Sequence, residues 1–288
     1  MSVISAYSDG VPTVSFCLRN GAGNIVLQRN ADSRFYSAST IKLGVLLAAM
    51  DSVTAGDLAP GHAMTNTRRF PSRVPGAGFF DLEAEEGDDG MVPGRETTLA
   101  EVLRRMIEVS SNEATNMAAD LVGLDAVNAA VYRAGAVHSV MGRLFGDYAA
   151  LAAGHTNETT AADLTLLMQA AANGVGDGAE TMRGYLRGQQ HVVIGAEIRA
   201  AQDTWWPEGV DWGSKSGSVT GIEHDAAFIR PAGMKPDEAY ALAVCTRGYL
   251  PDAGHEVIRA VTASVVAGIS AAARKETGAA ARPEAAGI

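Results

Sequence analysis

The chain has 288 residues, 47% of them hydrophobic and 19% charged, which is typical of a folded globular protein with one large domain or two intertwined lobes. Its formal net charge of −10 repels polyanions, so we expect no nucleic-acid partner. Cys17 and Cys245 lie in apolar runs and indicate no disulfide framework, and the six scattered histidines lack a helical ligand spacing. We therefore predict no metal and no other cofactor.

The N-terminal residues 1–11 lack the basic and long apolar regions of a secretory signal. The sequence as it stands predicts a cytoplasmic protein, or a secreted one if a signal was removed. Residues 13–18 and 24–28 flank a turn signal at 20–23, which predicts a β-hairpin.

A largely apolar helix is predicted to begin with Ser39-Thr40-Ile41-Lys42 and to be buried. Residues 56–97 are rich in glycine, proline and acidic side chains, so we expect a mostly irregular stretch there. We interpret its acidic run as a solvated loop rather than a metal site. The run consists of Asp81, Glu83, Glu85, Glu86, Asp88 and Asp89.

The middle of the chain is predicted to be helical. Thr98-x-x-Glu101 is a capping box that opens one helix, and apolar periodicity with stop signals predicts further helices at 112–122, 125–133, 161–172 and 179–187.

Short strands at 214–220, 224–230 and 240–246 precede a final helix at 255–273. Its apolar part, 258–269, is too short to span a bilayer, so we expect no membrane contact. We predict an α/β (α+β) fold. A five-stranded antiparallel sheet with flanking helices is built from both chain ends, 1–37 and 197–288, and an all-helical lobe, 38–196, is inserted between them.

Three short motifs carry the chemistry. Ser39 and Lys42 lie one helical turn apart, and a lysine in a low-dielectric site can accept a serine proton. Ser110-Ser111-Asn112 and Lys215-Ser216-Gly217 follow in order. Each has a structural alternative: Ser110-x-x-Glu113 could be only a capping box, and Lys215 a solvated strand lysine.

Together these motifs resemble the S-x-x-K, S-D-N and K-T-G signature of class A β-lactamases and penicillin-binding proteins. The resemblance extends from about residue 12 to 270 and includes the segments 34–40, 110–116, 159–163 and 206–207. It implies a β-lactamase/transpeptidase-like fold and a serine hydrolase that acts on a small acyl substrate, and we expect a monomer.

The resemblance also implies roles for single residues. Ser39 would be the nucleophile and Lys42 its base, and the backbone N–H groups of Ser39 and Ser218 would form the oxyanion hole. Ser110 would relay a proton to the departing lactam nitrogen.

Three further positions would bind the substrate. Asn112 would hold its side-chain amide, and Lys215, with Ser216 and Gly217, would bind its carboxylate.

One expected residue is missing. Class A enzymes have a glutamate that positions the deacylating water on a loop, and Arg143 and Asn157 look like the two ends of that loop. The family spacing places Phe145 at the glutamate position, and Asp147 is the sole acid between the loop ends. We therefore take Asp147 as a candidate base, with Glu158 beyond the loop as an alternative.

Three functions fit these observations. The first is a serine β-lactamase in which loss of the loop glutamate slows deacylation. The second is a serine esterase or peptidase of the same fold, which needs no such glutamate. The third is a β-lactam- or peptidoglycan-binding protein that is acylated without turnover.

Overall fold

The computed structural model describes residues 3–83, 87–174 and 176–277. The strands within these residues are β1 (Ile4–Ser5), β2 (Ser8–Asp9), β3 (Thr13–Arg19), β4 (Ile25–Arg29), β5 (Phe35–Tyr36), β6 (Ala63–Thr65), β7 (Arg69–Pro71), β8 (Phe79–Asp81), β9 (Glu96–Thr98), β10 (Val140–Met141), β11 (Asn157–Thr159), β12 (Val210–Val219), β13 (Ile222–Pro231) and β14 (Tyr240–Arg247). The helices are α1 (Lys42–Ala55), α2 (Leu99–Glu108), α3 (Asn112–Val122), α4 (Leu124–Arg133), α5 (Tyr148–Ala152), α6 (Ala161–Ala172), α7 (Asp177–Arg187), α8 (Ile194–Trp205) and α9 (Pro251–Thr277).

The central sheet has five antiparallel strands in the order β12-β13-β14-β3-β4, so strands from both ends of the chain join in it. This confirms the predicted sheet. One face packs on α6, whereas α8 and α9 cover the other. Because both faces are covered, almost every residue of β13 is buried, including Glu223, His224 and Asp225.

The helical region packs around α1. Its residues Leu43, Val45 and Leu46 are fully buried among the neighbouring helices. A Cβ atom at Gly44 would lie 2.6 Å from Val131 Cγ2, so glycine allows the close approach of α4. Residues 38–55 are long and apolar enough for a membrane span, but 67% of that stretch is buried within the fold, which is typical of a core helix.

The predicted helices and strands are present with small shifts at their ends. Thr98 caps α2 as predicted, because its hydroxyl accepts a hydrogen bond of 3.3 Å from the Glu101 N–H. The final helix begins at Pro251, four residues earlier than predicted.

The region 56–97 is mostly irregular, as predicted, but it contains two short antiparallel ribbons, β6 with β9 and β7 with β8. The sequence prediction was wrong in two other places. The inserted lobe is not wholly helical, because β10 and β11 lie within it and form a small sheet with β5. Helix α8 was not predicted at all.

The acidic run is only partly a solvated loop. Asp88 forms a bidentate ion pair with Arg105, and Asp81 pairs with Arg69 at the surface. Glu85 and Glu86 lie outside the described residues.

Candidate active site

Ser39 lies in a short 3-10 helix, Ala38–Ile41, that leads directly into α1. The preceding residue, Ala38, has a left-handed backbone with φ +44°, a conformation that costs energy for a residue with a side chain. The turn is held by Thr40, whose N–H and hydroxyl both donate to the Ser37 carbonyl oxygen. Within the described residues, the half-buried Ser39 hydroxyl has no hydrogen-bond partner.

Gly217 brings strand β12 against this turn. A Cβ atom at position 217 would lie 2.9 Å from the Ser39 nitrogen, closer than real Cβ atoms approach, and it would also lie 3.0 Å from the Thr40 nitrogen. Only glycine therefore fits where the strand passes the nucleophile, and Ser218, the next residue, lines the same cavity as Ser39.

Lys42 is fully buried and points toward the turn before α3. Its Nζ donates to the carbonyl oxygen of Ser110 at 2.5 Å and to Asn112 Oδ1 at 2.9 Å. Burial holds the pKa of Lys42 well below its ordinary value of 10.5, and the charge of nearby Lys215 lowers it further. Burial therefore favours the neutral amine, which is the form that can accept a proton.

The Ser110 hydroxyl lies between two lysine amines. Its Oγ is 3.2 Å from Lys42 Nζ and 3.1 Å from Lys215 Nζ. Lys215 is fully buried, so the solvated-lysine alternative is wrong, and burial lowers its pKa to about 7. Two amines with lowered pKa values can exchange protons with this one hydroxyl.

Ser111, and not Ser110, caps helix α3. The Ala114 N–H donates to Ser111 Oγ at 3.1 Å, and the buried Glu113 pairs with Arg68 at 3.1 Å. The capping-box alternative for Ser110 is therefore wrong. Ser110 instead adopts a left-handed backbone with φ +60° that turns its side chain toward the lysines.

The motifs meet at one cavity of about 520 Å³. The motif residues that line it are Ser39, Ser110, Asn112, Ser216, Gly217 and Ser218. The cavity is also lined by residues that the motifs did not identify, among them His191, Glu223 and His255. No group of histidine, cysteine and acidic side chains among the described residues could hold a metal ion.

The profile of the Beta-lactamase enzyme family matches residues 2–269 of the chain. The protein belongs to this family. Its known members include hydrolases of β-lactamase type, and the chain is a hydrolase of that type. Comparison with curated proteins gave no match.

Several solved structures share the fold over nearly the whole chain. A β-lactamase from Sphaerobacter thermophilus is 28% identical, with a TM-score of 0.68 over 90% of this chain and 91% of that one. PBP-A is 22% identical, with a TM-score of 0.69 over 90% of each chain. A leucine-to-glutamate variant of PBP-A, solved as an acyl-enzyme complex with penicillin G, is 21% identical, with a TM-score of 0.68 over 90% of each chain.

In this family member, the loop at 143–157 is closed at its neck, where the Arg143 N–H donates to Asn157 Oδ1 at 3.0 Å. Within the loop, the Asn116 side chain holds the backbone of Phe145 through two hydrogen bonds of 2.8 and 2.9 Å. Phe145 is 8% exposed, and the centroid of its ring lies 4.9 Å from Lys42 Nζ. An aromatic ring therefore contacts the lysine at the position where a glutamate was expected.

Asp147 is fully buried and caps α5. Its carboxylate accepts hydrogen bonds from the Ala150 N–H at 3.0 Å, the Ser72 hydroxyl at 2.9 Å and the Arg73 N–H at 2.9 Å. These contacts tie the loop to the ribbon β7–β8, and Asp147 is not among the cavity residues. The structure does not bring it together with the motifs, and its role as a base stays a prediction.

Glu158 also lies away from the cavity. It is in β11, and its carboxylate forms a 3.0 Å ion pair with the exposed Arg34.

Proposed function

We propose that this protein opens β-lactam amides through an acyl-Ser39 intermediate, and that this intermediate breaks down slowly. The observation that supports the proposal best is the Ser110 hydroxyl between two buried amines, 3.2 Å from Lys42 and 3.1 Å from Lys215, on the cavity that contains Ser39.

Acylation needs a base for Ser39 and an acid for the leaving nitrogen. Neutral Lys42 takes the hydroxyl proton, directly or through water, and Ser39 Oγ attacks the lactam carbonyl carbon. The backbone N–H groups of Ser39 and Ser218 hold the resulting oxyanion. As the carbon–nitrogen bond breaks, Ser110 gives its proton to the nitrogen and is reprotonated by one of its lysines.

Substrate binding uses hydrogen-bond donors of Lys215, Ser216 and Asn112 that are available to a ligand. Lys215 Nζ already donates to Ser110 Oγ and to the Ser216 carbonyl oxygen at 2.8 Å, which leaves one N–H for a substrate carboxylate. The Ser216 hydroxyl adds a second donor, and Asn112 offers its side-chain amide to the acyl part of the substrate.

Slow deacylation follows from the contact between Phe145 and Lys42. The ring occupies the space beside the amine and brings no carboxylate to activate water. This same contact favours the alternatives, an esterase or peptidase of this fold or a binding protein that is acylated without turnover, because neither needs a glutamate there.

Intact-protein mass spectrometry after mixing with penicillin G tests the proposal. We expect a 1:1 adduct that forms quickly and disappears slowly, and that is absent in Ser39→Ala. A permanent adduct would support the binding protein instead. The absence of an adduct, with cleavage of neutral esters by the same preparation, would support the esterase.

A further inference from the structure

The cavity also contains a histidine that is oriented by a buried carboxylate. His255 Nε2 lies 3.1 Å from Glu223 Oε2, and the Ser218 hydroxyl donates to Glu223 Oε1 at 2.7 Å. The Glu223 side chain is 4% exposed and that of His255 is 33% exposed. A carboxylate accepts hydrogen bonds, so Nε2 carries the proton, and Nδ1 has no partner within the described part of the chain.

The fold holds this pair beside the site. Ser218 directly follows the Lys215-Ser216-Gly217 motif in β12, and Glu223 pairs with it in the neighbouring strand β13. A Cβ atom at Gly254 would lie 2.9 Å from Glu223 Cγ, so glycine lets the first turn of α9 rest on the glutamate. The next residue of that turn is His255, which thereby reaches the cavity.

The other two histidines of the cavity lack this arrangement. His224 is buried, its Nδ1 accepts from the Thr246 N–H, and its Nε2 lies 3.0 Å from the Tyr36 carbonyl oxygen, so both ring nitrogens are engaged. Burial lowers the pKa of His224 to about 4, which keeps it neutral. His191 is exposed, and its side chain pairs with no carboxylate among the described residues.

We propose that His255 is the general base that hydrolyses the acyl-Ser39 intermediate and that Glu223 is its positioning residue; this inference rests on the proposed function. Nδ1 removes a proton from water while the water oxygen forms a bond to the acyl carbon. The bond from that carbon to Ser39 Oγ then breaks, the proton passes from His255 to Oγ, and the acid product leaves.

The arrangement is that of a general base whose orientation is fixed by a neighbouring carboxylate. A carboxylate that binds one imidazole nitrogen fixes the tautomer and stabilises the imidazolium that forms when the other nitrogen takes a proton. The partial exposure of His255 gives water access to Nδ1, and a cavity of about 520 Å³ can hold an acyl group together with that water. A base can act across one water molecule, so direct contact with Ser39 is not required.

The lifetime of the acyl-enzyme tests this proposal. The penicillin G adduct is formed, excess penicillin is removed, and loss of the adduct is followed by intact-protein mass spectrometry. We expect His255→Gln to lengthen the lifetime about 10²-fold or more, with an unchanged rate of adduct formation. Glu223→Gln should lengthen it less. In His255→Ala, added imidazole should restore part of the lost rate, which a purely structural role would not allow.

His191→Gln is the matched control, because it removes another histidine from the same cavity, and its adduct should break down at the wild-type rate. An unchanged lifetime in His255→Gln would overturn the proposal, as would a wild-type adduct that never breaks down or a failure of imidazole to accelerate His255→Ala. If the wild-type protein forms no adduct, the proposed function itself fails, and this is seen at the earlier, acylation step.

Discussion

Phe145→Glu should convert slow breakdown of the acyl-enzyme into rapid turnover. The Asn116 side chain holds the backbone at this position, and the ring centroid is 4.9 Å from Lys42 Nζ, so a glutamate there would bring its carboxylate to the lysine. A positioned general base contributes about 10²–10⁴-fold. We expect the lifetime of the penicillin G adduct to shorten by that factor.

The structure also gives the cost of this change. Loss of a buried phenylalanine ring destabilises a protein by about 3–5 kcal/mol, and the new carboxylate would be largely desolvated. The new carboxylate would favour the protonated form of Lys42, and two unit charges about 5 Å apart attract by roughly 3 kcal/mol at an effective dielectric constant of 20, so this ion pair offsets part of the loss. The variant should melt at a lower temperature than the wild type but remain folded.

The assay measures adduct loss by mass spectrometry and penicillin consumption by absorbance on the same sample. Phe145→Gln is the control, because it has the size and polarity of the glutamate without its basicity, and it should not shorten the lifetime. A folded Phe145→Glu with a wild-type lifetime, or a Phe145→Gln that is equally fast, would refute our interpretation of this position.

Three further predictions concern single contacts. Gly217→Ala should abolish Ser39 acylation, since its Cβ atom would lie 2.9 Å from the Ser39 nitrogen; a normal adduct yield in mass spectrometry would contradict this. Asp147→Ala should lower the melting temperature, because it leaves three donors without their acceptor, and with His255 as the base it should not alter the adduct lifetime; a longer lifetime would support Asp147 as the base instead. Lys215→Gln should move the pH midpoint of acylation upward, because removal of a neighbouring positive charge raises the pKa of Lys42; a downward shift in stopped-flow rates would oppose this.

Much of this protein is determined by local sequence. The alternating apolar residues of β3, the short apolar runs bounded by turn residues of the other strands and the periodicity of α2 predict those elements, because such patterns lie within one short segment of the chain. The three motifs likewise identify the residues that meet at the cavity, since each occupies a short segment with its own spacing.

Other features depend on residues far apart in the chain. Helix α8 begins where the Val193 and Ile194 N–H groups donate to the buried carboxylate of Asp225, which is some thirty positions later in the chain. The sequence next to the helix start therefore contained no capping residue that predicted it. From the sequence, Asp147 was taken as a candidate base, because the Ser72 and Arg73 groups that donate to its carboxylate are more than seventy residues away in the chain.

The active site shows the same division. The motifs identified the serines and lysines that could react. The position of the Ser110 hydroxyl between two amines, however, depends on α1 and β12 packing on either side of it. The pairing of Glu223 with His255 likewise required α9 to rest on β13. Sequence periodicity indicates which face of an element is buried, but it does not specify which distant element packs on that face. The pKa values of the buried lysines are lowered because that packing removes them from water.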